Sequence, residues 1–389
     1  MDEFSFSKTT NQSISSIANL AYALDVSEEL IDEALALPSD QRYTPHRPGN
    51  GNRLVYRPHP LIRKIQRKIK NRILVDLVRY PRYLYGSLRD VGFPRDYISC
   101  AQVHCLSKSV LKIDITKFFD NISANVVEDI YSDFFSFPFP VADALANLCT
   151  HEGWVPQGAP TSSHLANLCF FREEPSLVRQ LHRQGLRYTR LIDDITISCD
   201  SYGYDFTKDE ERVRRLITEK GFSVNEAKTG LHYQGNNNIK IHGLRINFPK
   251  PQMTQEESRN IRVAVHQVEQ WAAEPNCRTS IAYRKLFEST SGRVNKLKRL
   301  SHSKYERYRK RLQKLLPLPS NKDYDRCIGL YNGVVADAAK GVHSFRYYRR
   351  YCLLQNRLNL IQRTRSYRAE AVRMRAALKG LKPTYKNDV

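Results

Sequence analysis

The chain has 389 residues, 41% hydrophobic and 10% aromatic, which is enough to build two or three packed subdomains and excludes a disordered protein. Its 62 Lys and Arg against 40 Asp and Glu give a formal charge of +22, an excess most simply neutralised by a polyanion, so nucleic acid is the expected partner. No apolar stretch approaches the roughly 20 residues that span a bilayer, and the acidic, polar start is unlike a secretory signal, so no membrane association and a cytoplasmic location are expected.

Ile14, Ile17, Leu20 and Leu24 form one helical stripe, and Ser27 caps a second short helix carrying Leu30, Ile31 and Leu35. The turn formers between Pro38 and Asn52 mark a loop or hairpin that leads into the strand-like Arg53-Leu-Val-Tyr-Arg57. Next, Leu61, Ile65, Ile69, Ile73 and Leu77 recur every fourth residue, with Arg63, Lys64, Arg67, Lys68, Lys70 and Arg72 between them. This predicts a helix with one apolar face and one basic face, the latter either solvated or set against phosphates.

A strand is expected over 110–115, a helix beginning at Ser123, and a hairpin over 190–198 with Asp193-Asp194 at its tip. Thr207-Lys-Asp-Glu210 predicts a capping box that opens a helix closed by Gly221, and a further strand is expected over 239–246. An antiparallel sheet with helices on one face is the economical arrangement. After Pro249 the pattern is helical, broken once at Pro317-Leu-Pro319, with arginines such as Arg346, Arg349, Arg365 and Arg368 crowding its final third. The eight cysteines show no Cys-x-x-Cys and no Cys/His cluster, and all are read as structural.

Two adjacent carboxylates repel each other and lose solvation when a site closes, so Asp193-Asp194 calls for positive charge; Asp-Asp is equally a common solvated turn. Asp114 lies in an apolar strand, where a lone charge is costly unless it faces a ligand or the sheet edge. If the two strands converge, Asp114, Asp193 and Asp194 offer the oxygen donors that Mg²⁺ prefers. Two such ions could activate an attacking hydroxyl and stabilise the leaving oxygen of an in-line displacement, which is nucleotidyl transfer.

Asp114-Ile-Thr-Lys-Phe-Phe119, Gln157-Gly-Ala-Pro-Thr-Ser162, Ile192-Asp-Asp194, Asn225-Glu-Ala-Lys-Thr229 and His242-Gly-Leu-Arg-Ile-Asn247 follow one another in this order. Together they resemble the successive palm motifs of bacterial retron-type and defence-associated reverse transcriptases. Asn52-Arg-Leu-Val-Tyr-Arg-Pro58, with Ile65-Gln-Arg67 after it, is similar to the fingers segment of retron enzymes, and His104 matches a histidine often found ahead of the first palm strand. The resemblance covers roughly residues 12–300.

The resemblance implies an α+β right-hand polymerase: an N-terminal helical segment over 1–45, fingers over 46–110, and a palm over 111–248 with part of the fingers inserted. A helical thumb and basic C-terminal RNA-binding region would occupy 249–389. It implies an RNA-directed DNA polymerase that copies an associated noncoding RNA in antiphage defence, with two Mg²⁺ ions and dNTPs. The noncoding RNA and the RNA–DNA product duplex are the implied partners, with room for an effector protein or a homo-oligomer. Asp114, Asp193 and Asp194 would hold metal, and Lys228 would lie near the departing pyrophosphate. Arg53 would hold the triphosphate, and Phe119 would exclude a 2′-hydroxyl. Gln157 and Gly158 would shape the nucleotide pocket, while Leu191, His242 and Gly243 would position the primer.

Two positions depart from the family pattern: Leu191 replaces a common tyrosine, and Ile241-His242 replaces a valine-threonine pair. Untemplated or protein-primed synthesis is one alternative, which the 22 tyrosines permit without pointing to any one of them. A non-catalytic RNA scaffold is another, but intact Asp114, Asp193, Asp194 and Gln157 argue against it. RNase H and protease activities have no support.

Overall fold

The N-terminal helices are set by their caps. Ser16 accepts a hydrogen bond from the Asn19 N–H and Ser27 from the Leu30 N–H, starting helices over Ile17–Leu24 and Glu28–Ala36. The computed structural model describes residues 3–10, 13–48, 54–90, 92–235, 238–341 and 344–383. Within the turn-rich stretch Ser39–Arg42 form a short helix and Tyr43–His46 a strand, which pairs antiparallel with Val55–Pro58. Arg53, the expected triphosphate ligand, lies outside the described residues.

The next helix, Pro60–Ile69, widens into π-type turns over Lys70–Val75 and buries Ile62, Ile65, Ile69, Ile73 and Leu74. Its basic face is smaller than the sequence pattern suggests. Lys68 is buried, its ammonium donating to the carboxylate and the carbonyl of Asp25 at 3.0 Å each, and Arg72 reaches the same carboxylate at 3.2 Å. A buried ammonium needs such a partner, so Lys68 is spent on the fold, and Arg72 is engaged in a partly exposed ion pair; Arg63 and Lys64 stay exposed.

The central sheet has five strands, in the order Leu84–Tyr85, Arg187–Leu191, Asp194–Cys199, Ser109–Asp114 and Gly230–Tyr233. Its neighbours run antiparallel except at one edge, where Leu84–Tyr85 is parallel to Arg187–Leu191; the purely antiparallel expectation fails there. Ser123 caps the helix Ala124–Asp129 as expected, and the helices Phe139–Cys149, Ser162–Leu168, Glu174–Arg183 and Thr207–Glu219 bury their apolar faces in the same core. Phe118 belongs to that core, its ring stacked on Phe170 at 6.0 Å and edge-on to Phe222 at 5.1 Å.

Two local expectations are corrected. The capping box at Thr207 does not form: the Thr207 N–H and hydroxyl both donate to Asp205 Oδ1, at 3.0 and 2.6 Å, a nearer acceptor than the helix offers. That helix still closes at Gly221 (φ +78°), where Gly221 and Phe222 donate to the carbonyls of Thr218 and Ile217 in a Schellman arrangement. The strand expected over 239–246 folds back on itself, Lys240–Ile241 pairing with Leu244–Arg245. His242 and Gly243, at φ +47° and +78°, supply the two left-handed positions of a type I′ turn.

The chain divides into two compact units, the second beginning at Gln252. That unit is helical over Gln255–Ala273, Ile281–Arg299, Tyr305–Gln313, Asn321–Ala339, Phe345–Ile361 and Arg365–Lys379. It holds two separate apolar clusters, one around Val265, Tyr283 and Val294, the other around Val334, Leu354 and Met374, and Pro317-Leu-Pro319 separates the helices that build them. Arg346, Arg349, Arg365, Arg368 and Arg373 are exposed. All eight cysteines are free thiols, six of them buried. Among the described residues no helix is long and apolar enough to cross a membrane.

Candidate active site

The register of two strands brings the acidic residues together. Leu111 faces Ile197 and Ile113 faces Ile195 across the antiparallel pair, so Asp114 directly faces Asp194. The partner strand turns sharply: Leu191 pairs with Asp194, leaving only Ile192 and Asp193 in the turn. Ile192 sits at φ +60°, which is unfavourable for a β-branched residue and costs on the order of 1–3 kcal/mol. The Ile115 N–H donates to the Asp193 carbonyl at 3.1 Å, tying the turn to the end of the Asp114 strand.

Asp114 is 5% exposed and well supplied with donors. Asn225 Nδ2 donates to its Oδ2 at 2.9 Å, and Lys228 Nζ donates to Oδ1 and Oδ2 at 3.0 and 3.2 Å. The hydrogen bond to Asp114 is the chief cause of a raised Lys228 pKa. Asp194 is less well compensated. Burial pushes its carboxyl up to about 6, with the charges of Asp193 and Asp114 acting in the same sense and Lys228 opposing them.

Behind the turn lies a chain of polar side chains. His242 Nδ1 is 3.6 Å from Asp194 Oδ2, and its Nε2 is 3.3 Å from Cys100 Sγ, which in turn donates to Thr189 Oγ1. Burial lowers the His242 pKa to about 4, so the ring is neutral near pH 7 and its contact with Asp194 is not an ion pair. His104 is fully buried and bridges the two hairpin strands, with Nε2 2.8 Å from Thr189 Oγ1 and Nδ1 2.7 Å from Ser198 Oγ. Its position ahead of the Asp114 strand is therefore structural.

The nucleotide-pocket residues sit on separate elements. Phe119 is half-buried beside the core ring of Phe118, 6.2 Å between centroids. The Gln157 carbonyl accepts from the Tyr56 N–H at 2.7 Å, which locks the loop to the strand Val55–Pro58. Gly158 has φ +108°, and a Cβ there would stand 2.4 Å from Val55 Cγ1 and 2.9 Å from the Tyr56 carbonyl, so only glycine fits.

Sequence reasoning assigned no role to Gly86, Arg190 or Glu174, although a charged residue at the head of Arg190-Leu-Ile-Asp-Asp was a visible signal. A Cβ on Gly86 would come within 2.9 Å of Ile192 Cγ1, so the turn rests directly on that glycine. Among the described residues no three His, Cys, Asp or Glu side chains are drawn together tightly enough to hold an ion as they stand. Lys228 and Asn225 occupy Asp114, and a cation would have to displace that ammonium. The donors nonetheless suit a hard divalent cation: they are carboxylate oxygens, and Asp194 carries charge that Lys228 only partly offsets.

The α+β fold, with its acidic hairpin turn beside an acidic strand end, is that of a right-hand nucleic-acid polymerase. Residues 47–269 match the family described as reverse transcriptase (RNA-dependent DNA polymerase). The chain is 36% identical over 394 residues to the Retron Ec48 reverse transcriptase of Escherichia coli, covering 98% of this chain and 96% of that relative. It is 34% identical over 270 residues to the Retron Se72 reverse transcriptase of Salmonella heidelberg, covering 68% of this chain and 69% of the relative. With the Retron Ec86 reverse transcriptase of Escherichia coli the identity is 25% over 266 residues, covering 67% and 76%. The chain belongs to the reverse transcriptase family, and within it to the retron type. It is an RNA-directed DNA polymerase, and the chemistry of that family depends on a divalent metal.

Proposed function

We propose that the chain copies an associated noncoding RNA into DNA, using Asp114, Asp193 and Asp194 as ligands for two Mg²⁺ ions, in antiphage defence in the cytoplasm. The observation that carries the site assignment is the placement of Asp114 directly opposite Asp194, with Asp193 in the adjoining two-residue turn. When bound, the ions would supply activation of the primer hydroxyl and charge stabilisation at the leaving oxygen.

The chain's own residues do the rest. As a metal ligand Asp114 would give up Lys228, whose ammonium would then face the departing pyrophosphate. Phe119 blocks the 2′-hydroxyl of an incoming nucleotide. Gln157 and Gly158 form the pocket wall, held by their backbone contact to the strand that follows Arg53, the proposed triphosphate ligand. Leu191, His242 and Gly243 position the primer end. The fingers, palm and thumb are assigned to 46–110, 111–248 and 249–389. The exposed arginines over 346–373 grip structured RNA, so RNA affinity falls steeply with salt. An effector protein or a second copy of the chain completes the proposed set of partners.

Sequencing the nucleic acid that copurifies with the protein tests this reading. It predicts one RNA species joined to complementary DNA at a nuclease-trimmable RNA–DNA junction. DNA that stays linked to protein through phenol extraction would instead establish protein priming, and DNA without complementarity to any bound RNA would establish untemplated synthesis.

A further inference from the structure

The turn that carries Asp193 and Asp194 is braced from inside the protein. Arg190 and Glu174 are both 0% exposed and form a two-pronged ion pair, with Nε donating to Oε1 at 2.6 Å and Nη2 to Oε2 at 2.7 Å. The remaining guanidinium donors are also used. Nη1 donates to the carbonyls of Ala166 at 3.2 Å and Ile192 at 3.1 Å, and Nη2 to the carbonyl of Asn167 at 3.0 Å. All five N–H groups of the fork are thereby satisfied, which only arginine could manage at this position. Tyr188 donates to Glu174 Oε1 at 2.7 Å and fixes the carboxylate, and the guanidinium lies over the Phe170 ring at 5.2 Å.

The bond to Ile192 matters most, because Ile192 holds the unfavourable φ of +60° that lets a two-residue turn present Asp193 and Asp194. The same network supports the turn from below: Asn167 Nδ2 donates to the Gly86 carbonyl at 3.2 Å, and Gly86 is the residue on which Ile192 rests. One buried cation therefore ties the end of the helix Ser162–Leu168, the start of the helix Glu174–Arg183 and the turn together.

We propose that Arg190, held by Glu174, is a positioning residue that clamps the turn bearing Asp193 and Asp194 in the geometry the reaction needs. The proposal rests on the assignment of those aspartates to metal binding. Full-length wild-type, Arg190→Lys and Tyr188→Phe proteins are compared for kcat and KM in dNTP incorporation on an RNA template, for the Mg²⁺ concentration giving half-maximal rate, for RNA affinity and for Tm. Arg190→Lys keeps the charge but not the fork. It should lower kcat by about a hundredfold and raise the Mg²⁺ requirement severalfold, with dNTP KM and RNA affinity nearly unchanged. Tyr188→Phe, which removes one hydrogen bond from Glu174 but leaves both prongs of the ion pair, should lower kcat by less than Arg190→Lys does. Replacing Ile192 by glycine, for which a positive φ costs little, should restore at least about tenfold of the lost kcat in the Arg190→Lys background without restoring Tm.

If Arg190→Lys does not fold, Glu174→Gln, which leaves every guanidinium donor present, carries the same expectations. A folded Arg190 or Glu174 variant with wild-type kcat and Mg²⁺ requirement overturns the proposal, as does Tyr188→Phe losing more kcat than Arg190→Lys. A double variant no faster than Arg190→Lys overturns it too. Wild-type protein that incorporates no nucleotide on any RNA template would count against the polymerase reading, not against the clamp.

Discussion

Replacing Asp194 by asparagine should separate stability from catalysis. Asp194 directly faces Asp114 and adjoins Asp193, and like charges at directly opposed strand positions destabilise a sheet by up to about 1 kcal/mol per pair. The Asp194 side chain is 48% exposed, so solvent screening roughly halves the repulsion; Asp193 stays adjacent in the unfolded chain, and the opposed pair with Asp114 leaves about 0.5 kcal/mol to be recovered. For a unit of this size that corresponds to a rise in Tm of about 1–2 °C. Calorimetry in EDTA, well above the carboxyl's pKa of about 6, should show the variant melting higher than wild type. Added Mg²⁺ should then stabilise wild type more than the variant, because only the intact carboxylate set gains a ligand, while DNA synthesis by the variant falls to background. An Asp194→Asn protein that melts below wild type in EDTA, or that Mg²⁺ stabilises equally, would refute the reasoning.

Three further outcomes follow from the same geometry. Gly158→Ala should cost about 1–3 kcal/mol in urea melts and raise the KM for dNTP, because φ +108° and the contacts with Val55 and Tyr56 leave no place for a Cβ. Phe119→Ala should cut the preference for dNTP over rNTP by about 10–100-fold in competition assays; unchanged discrimination would place the gate elsewhere. Burial lowers the His104 pKa from 6.5 to about 3, so between those values the unfolded chain binds the extra proton. Stability should therefore rise with pH across that window and be lost on acidification by an order of a few kcal/mol, and His104→Gln should flatten the slope in urea melts.

The sequence made the acidic hairpin legible because its information is local. Apolar residues on either side of Asp193-Asp194 specify a hairpin, and the apolar run over 110–115 specifies the strand that ends at Asp114. What it could not show depends on partners distant along the chain. Lys68 and Arg72 read as surface cations, since Asp25 lies more than 40 residues earlier and its meeting with them is a tertiary event. Arg190 gave no sign that Glu174, at the start of a helix, would bury it. The fold-back at His242-Gly243 was missed although the apolar alternation slips between Ile241 and Leu244, because histidine is an uncommon turn marker. The capping box was lost to Asp205, two residues upstream, a local competition that a four-residue pattern does not weigh.

The acidic residues carry the proposed chemistry most directly. The deciding measurement is Mg²⁺-dependent dNTP incorporation on an RNA template by wild type, Asp114→Asn and Asp193→Asn, each first shown to be folded and to bind RNA as wild type does. Synthesis by wild type with background levels in both variants is the predicted result. Continued RNA-templated synthesis in either variant would contradict the assignment of Asp114, Asp193 and Asp194 as the metal-holding centre.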